Sequence, residues 1–118
     1  MDKSNIIAAL AALAQEARLD IFRLLVQAGP EGLAAGQLAE QLGLPPATLS
    51  FHLKELRHAG LVSFQRASRS LIYSAEFVNM NGLLAYLTEN CCQGEPASCG
   101  VGICDGTQLE KPKPRRVP

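Results

Sequence analysis

Residues 45–61 read PPATLSFHLKELRHAGL. Pro45 and Pro46 suit the entrance of a helix, where a missing N–H removes no ladder bond. Leu49, Leu53 and Leu56 recur at i, i+4 and i+7, which predicts one apolar stripe turned inward. Gly60, after Ala59, is a natural left-handed residue to stop the helix. The outward side carries Thr48, Ser50, Phe51, His52, Lys54 and Glu55, then Arg57 and His58. Short hydrogen-bonding side chains come first and cations follow. A helix entering a DNA major groove needs that combination, small polar groups against base edges and positive charge against phosphate. An ordinary amphipathic surface helix would show the same stripe, so the neighbouring stretches decide.

Upstream, Leu33 to Leu44 predicts a short helix with Leu38 and Leu42 at i, i+4, closed by Gly43. Helix, tight turn and second helix form a helix-turn-helix with the Pro45 helix as reader. Downstream, the helical period breaks between Leu61 and Ser74. LVSFQ and SLIYS alternate apolar and polar residues, with Val62 and Phe64 on one face and Leu71 and Tyr73 on the partner's. RASR joins them and puts Arg66 and Arg69 at the tip. A hairpin directly after a reading helix is a wing, whose arginines reach the adjacent minor groove or lie on phosphate. A loop tip that is basic only for solubility is the plainer alternative; the order of helix-turn-helix and hairpin favours the wing.

From Asn5 to about Ala14 the run IIAALAALA is apolar nearly all round, so this helix must find partners within the chain or across a dimer. A second helix, Gln15 to Ala28, places Leu19, Phe22 and Val26 in one register with Ile21, Leu24 and Leu25 beside them; Gly29, Pro30 and Gly32 end it. Arg18, Asp20 and Arg23 read as solvated or locally paired charge. A last helix, Glu76 to Cys92, offers Phe77, Leu83, Leu84 and Leu87 as an apolar face. Surplus apolar surface on the first and last helices predicts a homodimer. The fold class is therefore mostly α with a small β-hairpin, a homodimeric winged helix-turn-helix. Residues 1–90 form the DNA-binding and dimerisation domain and 91–118 a cysteine-containing flexible tail.

With 118 residues, 47% hydrophobic and 19% charged, the composition is that of one globular domain. No apolar run approaches the ~20 residues that span a bilayer, so a membrane is not an expected partner. The opening MDKSNIIAAL continues as an amphipathic helix rather than a signal peptide, which predicts a cytoplasmic protein with reduced thiols. Net charge is zero, yet Lys54, Arg57, Arg66 and Arg69 between His52 and Arg69 face a single acid, Glu55. A local basic strip on a neutral protein can still track phosphates. There is no Ser/His/Asp pattern, paired carboxylate site, Gly-rich phosphate loop or H-E-x-x-H, so an enzyme is not expected.

All four cysteines, Cys91, Cys92, Cys99 and Cys104, fall within fourteen consecutive residues. Clustered thiols point to a soft ion. The spacing C-C-x6-C-x4-C lacks the C-x-x-C knuckle common in structural zinc sites. Adjacent cysteines on a regular helix diverge by about 100°, so both reach one atom only where the helix end frays, as Gly94 and Pro96 permit. Two vicinal sulfurs and a third returned by a loop make a three-coordinate pyramid, which suits a lone-pair ion such as As(III) or Sb(III). Cys91, Cys92 and Cys99 form the tightest such set, with Cys104 as a substitute. No organic cofactor is implied. Oxidation of the same thiols to a disulfide is the alternative chemistry.

LAQEARLDIFRLL (13–25), QLAEQLGLPPATLSFHLKELRHAGLV (37–62) and RASRSLIYS (66–74) together resemble the ArsR/SmtB family of metalloregulatory winged-helix repressors. The resemblance covers residues 5–90, and its most specific part is the string S-x-H-L-x-x-L-x-x-A-G-L-V. It implies a dimeric repressor that holds operator DNA without inducer and leaves when a metal or metalloid binds. It carries Ser50 and His52 over as reading contacts, with Thr48 nearby, and Arg66 and Arg69 as wing contacts. Phe51 stands where a polar or basic residue is common, and a thymine methyl is the contact open to it. Two familiar sensor sites are missing: GQLAEQL has no cysteine, and no histidine follows His58. A C-terminal vicinal pair with a third cysteine resembles the arsenite-responsive branch. Selectivity among As(III), Sb(III), methylated trivalent arsenic, Cd(II) and Pb(II) stays open at this point.

Overall fold

Asp2 starts the first helix, its Oδ1 accepting the Asn5 N–H at 3.0 Å. In this computed structural model, which describes residues 1–94, that helix is α1 (Lys3–Leu13). Gln15 does the same for α2 (Glu16–Ala28), accepting the Arg18 N–H at 2.9 Å. The chain continues as β1 (Leu33–Ala34), α3 (Ala35–Leu42), α4 (Pro46–His58), β2 (Val62–Ala67), β3 (Ser70–Ala75) and α5 (Phe77–Leu87), and then a 3-10 turn at Cys91–Gly94. It divides into two compact units, Met1–Leu83 and the residues from Leu84 onward. No helix among the described residues is long and apolar enough to cross a membrane.

The core of the first unit is aliphatic except for Phe22. Leu49, Leu53 and Leu56 of α4 are buried, as their spacing predicts, against Ile21, Phe22 and Leu25 of α2 and Leu38 of α3. Ile6, Ala9 and Ala12 bring α1 into the same cluster, and Leu61, Val62, Ala75 and Leu83 close it. The far end of α4 is tied down at several points. The Leu61 N–H reaches back to the Leu56 carbonyl at 3.0 Å across Gly60, whose φ of 80° is left-handed. Asn79 Nδ2 donates to the Gly60 carbonyl at 2.8 Å, and the Glu76 N–H to that of Leu61 at 2.8 Å. The reader is thereby fixed to the start of α5 and to the sheet.

Four details depart from the sequence pattern. Leu33 and Ala34 are a strand and not the first turn of a helix. They pair antiparallel with Tyr73 and Ile72, so the hairpin becomes a three-stranded sheet of order β1-β3-β2. The strands also run further than RASR allows: Arg66 lies within β2 opposite Leu71, and only Ser68 and Arg69 form the turn. Ser68 takes the left-handed φ of 58° that such a tight turn demands. Leu19 is 43% exposed, because the inward side of α2 is set by Ile21, Phe22 and Leu25. Finally, α5 stops at Leu87 and not at Cys92.

Candidate nucleic-acid interface and thiol pair

The outward side of α4 presents Thr48, Ser50, Phe51, Lys54, Arg57 and His58 to solvent, with Glu55 half-buried. Arg57 and His58 occupy the last turn, where positive charge complements the helix dipole. His52 is placed differently. It is only 8% exposed, and its Nδ1 lies 3.3 Å from the Arg18 guanidinium. Arginine has no acceptor, so in this contact the Nδ1 lone pair is the accepting side. This corrects the expectation of a groove contact: at i+3 from Leu49 and i−4 from Leu56, His52 follows the apolar stripe inward.

Arg18, read from the sequence as solvated or locally paired charge, holds this arrangement. Its Nε donates to the Ala12 carbonyl at 2.8 Å while Nη1 meets His52. One guanidinium thus fastens the end of α1 to the reading helix. Nothing in local sequence marks it, since its partner lies 34 positions away. Phe51 rests edge-on against the His52 ring, with centroids 5.6 Å apart and planes at 60°. Farther along, the Arg57 guanidinium lies 5.2 Å above the centre of the Phe64 ring, and Phe64 meets Tyr73 across the strands at 5.5 Å. Phe64, predicted only as wing packing, is also the surface on which Arg57 rests. Arg66 and Arg69 are exposed on the wing. The basic groups therefore run from the end of α4 onto the hairpin.

The thiol pair sits past α5, in the second unit. Asn90, Cys92 and Gln93 all adopt left-handed backbone, with φ of 57°, 55° and 61°. Both cysteines are half-buried. The Cys91 thiol has its pKa raised by partial desolvation first, then by the charge of Cys92 and a side-chain hydrogen bond with it. All three influences disfavour the thiolate at Cys91. Cys99 and Cys104 lie outside the described residues.

Residues 13–63 match a helix-turn-helix domain model. The chain is 41% identical over 59 residues to the HTH-type transcriptional regulator YceK of Bacillus subtilis, a match that spans 50% of this chain and 58% of that one. To the HTH-type transcriptional regulator YgaV of Escherichia coli it is 33% identical over 85 residues, covering 72% of this chain and 84% of that protein. The solved structure of HlyU from Vibrio cholerae, a transcriptional activator, superposes with a TM-score of 0.59 at 33% identity, over 74% of this chain and 97% of that one.

Proposed function

This chain belongs to the helix-turn-helix transcriptional regulators, with a winged DNA-binding fold, and on that footing we propose that it is a dimeric ArsR-type repressor released from operator DNA by trivalent arsenic or antimony. The observation that carries the inducer is the left-handed step at Cys92. On a regular helix the two side chains would point about 100° apart. Here the backbone leaves helical geometry at Cys92, so the pair is not held to that divergence, which supports both thiols closing on one ion. Cys99 supplies the third. Each As–S bond forms as a thiol proton leaves with one hydroxide of As(OH)3 as water. The raised pKa of Cys91 disfavours attack on peroxide, which requires the thiolate.

Thr48, Ser50, Phe51, Lys54 and Arg57 form the reading surface of this proposal, and Arg66 and Arg69 its wing contacts; His52 supports them from beneath. Exposed Ile7 and Leu10 on α1 and Val78 on α5, the last 79% exposed, support a two-fold contact between copies. Metalloid binding beyond α5 then acts on the subunit contact. Linkage of this kind lowers operator affinity about 5- to 150-fold.

The test is a mobility shift of the full chain on a duplex enriched from a random pool, with and without arsenite. Arsenite is expected to release the wild type. Cys91→Ser, Cys92→Ser and Cys99→Ser are each expected to keep DNA binding and lose the response; a response surviving in all three overturns the site. Methylarsenite, which needs two thiols, still releases Cys99→Ser if the vicinal pair alone selects methylated arsenic. A disulfide switch on the same pair is the second reading, favoured if peroxide releases DNA and arsenite does not.

The wing carries its own expected result. Replacing Arg66 and Arg69 together with glutamine is expected to weaken binding evenly across sequences and to flatten the slope of log K against log salt by about 3.6, since a dimer loses four phosphate contacts at about 0.9 each. An unchanged slope would mean that neither guanidinium meets a phosphate.

A further inference from the structure

Phe51 is 54% exposed and, among the exposed large hydrophobics of the described residues, it alone belongs to α4. It sits mid-helix, one turn after Ala47 and Thr48 and one turn before Lys54 and Glu55. Leaving a phenyl ring in water on an otherwise polar surface has no benefit to the free monomer. Nor does the ring hang loose. It packs edge-on against His52, which is buried and held by Arg18, which in turn is anchored on the Ala12 carbonyl. The aromatic is thus supported from below and presented outward.

Resting on the DNA-reading role proposed above, we infer that Phe51 is a specificity-determining residue that selects thymine at one step of each half-site by packing on its 5-methyl group. A phenyl ring neither donates nor accepts a conventional hydrogen bond, so it cannot read the donor and acceptor pattern of a base pair. The one apolar feature on the major-groove edge of unmodified DNA is the thymine methyl. Lys54 and Arg57 on the same exposed side supply the charge that holds phosphates to either side. The supported ring has less freedom to lose on binding than an unsupported one.

The experiment starts from a duplex enriched by the full-length chain from a random pool. Each thymine is then replaced singly by deoxyuridine, which removes only the methyl. The wild type is expected to lose about fourfold in affinity at one thymine position per half-site, the value of one buried methyl. Phe51→Ala, a change at an exposed site that removes the ring from both protomers, is expected to lose about 15-fold on the thymine duplex, one fourfold factor per half-site, and to bind the uracil duplex equally well. Phe51→Leu is expected to retain part of the preference. Wild type that tolerates uracil at every position, or Phe51→Ala that remains as sensitive as wild type, overturns the inference and leaves the DNA-reading role standing. A chain that enriches no duplex overturns both.

Discussion

Gly32→Ala is expected to destabilise the first unit by about 3 kcal/mol or more, a large effect for a single added methyl. Two causes act together. Gly32 has a φ of 73°, where an L side chain is strained. An added Cβ would also fall inside van der Waals contact of the Tyr73 carbonyl oxygen, and backbone cannot swing aside as a long side chain does. Gly32 directly precedes β1, whose Leu33 pairs with Tyr73, so relief of the clash must open the edge of the sheet. Urea unfolding should show the midpoint falling sharply with little change in slope. Gly36→Ala is the matched control. It lies inside α3 with nothing within 4 Å of the added atom, and there the same methyl is expected to stabilise by about 0.5–1 kcal/mol. Equal effects at the two positions would refute this account of the turn.

Arg18→Ala is expected to cost about 2–3 kcal/mol, more than an exposed cation warrants. The loss comes from what the guanidinium leaves behind. The buried His52 Nδ1 loses its donor, and the Ala12 carbonyl at the end of α1 loses another. A double-mutant cycle separates the two. His52→Leu, an apolar side chain on an inward position, removes the orphaned nitrogen. In that background Arg18→Ala is expected to cost at least ~1 kcal/mol less than in the wild type. An undiminished cost would assign the whole effect to Ala12. Lysine should rescue little, since one ammonium cannot span both acceptors with the geometry of a guanidinium fork.

These two positions mark where local sequence stops being informative. Gly32 reads as punctuation after α2, and Arg18 as one charge among several on an exposed helix. Each acquires its role from a partner distant in sequence, Tyr73 in one case and His52 in the other. Phe64 is similar: its alternation marks a strand, but not that the Arg57 guanidinium lies over its ring. The pairing of Leu33 and Ala34 with β3 is also invisible locally, since LAAG carries no strand period and its first two residues are extended only because an open edge of β3 lies beside them. His52 is the sharpest case. Its neighbours Ser50 and Lys54 point outward, and a polar residue between them reads as one more contact until the packing turns it inward.

What the chain alone determined is the part governed by short-range rules. The period of Leu49, Leu53 and Leu56, the proline entrance and the glycine stop specify α4. Alternation specifies β2 and β3, and the fixed order of helix, turn, helix and hairpin specifies a winged reader. The adjacency of Cys91 and Cys92 and their distance from any core are likewise plain in the letters. Tertiary structure decided which polar side chains of the reader face solvent and which arginine is structural, and it took the backbone out of helical geometry at Cys92. Periodicity and capping depend on neighbours within a turn or two, whereas burial and long-range hydrogen bonds depend on which surfaces packing brings together.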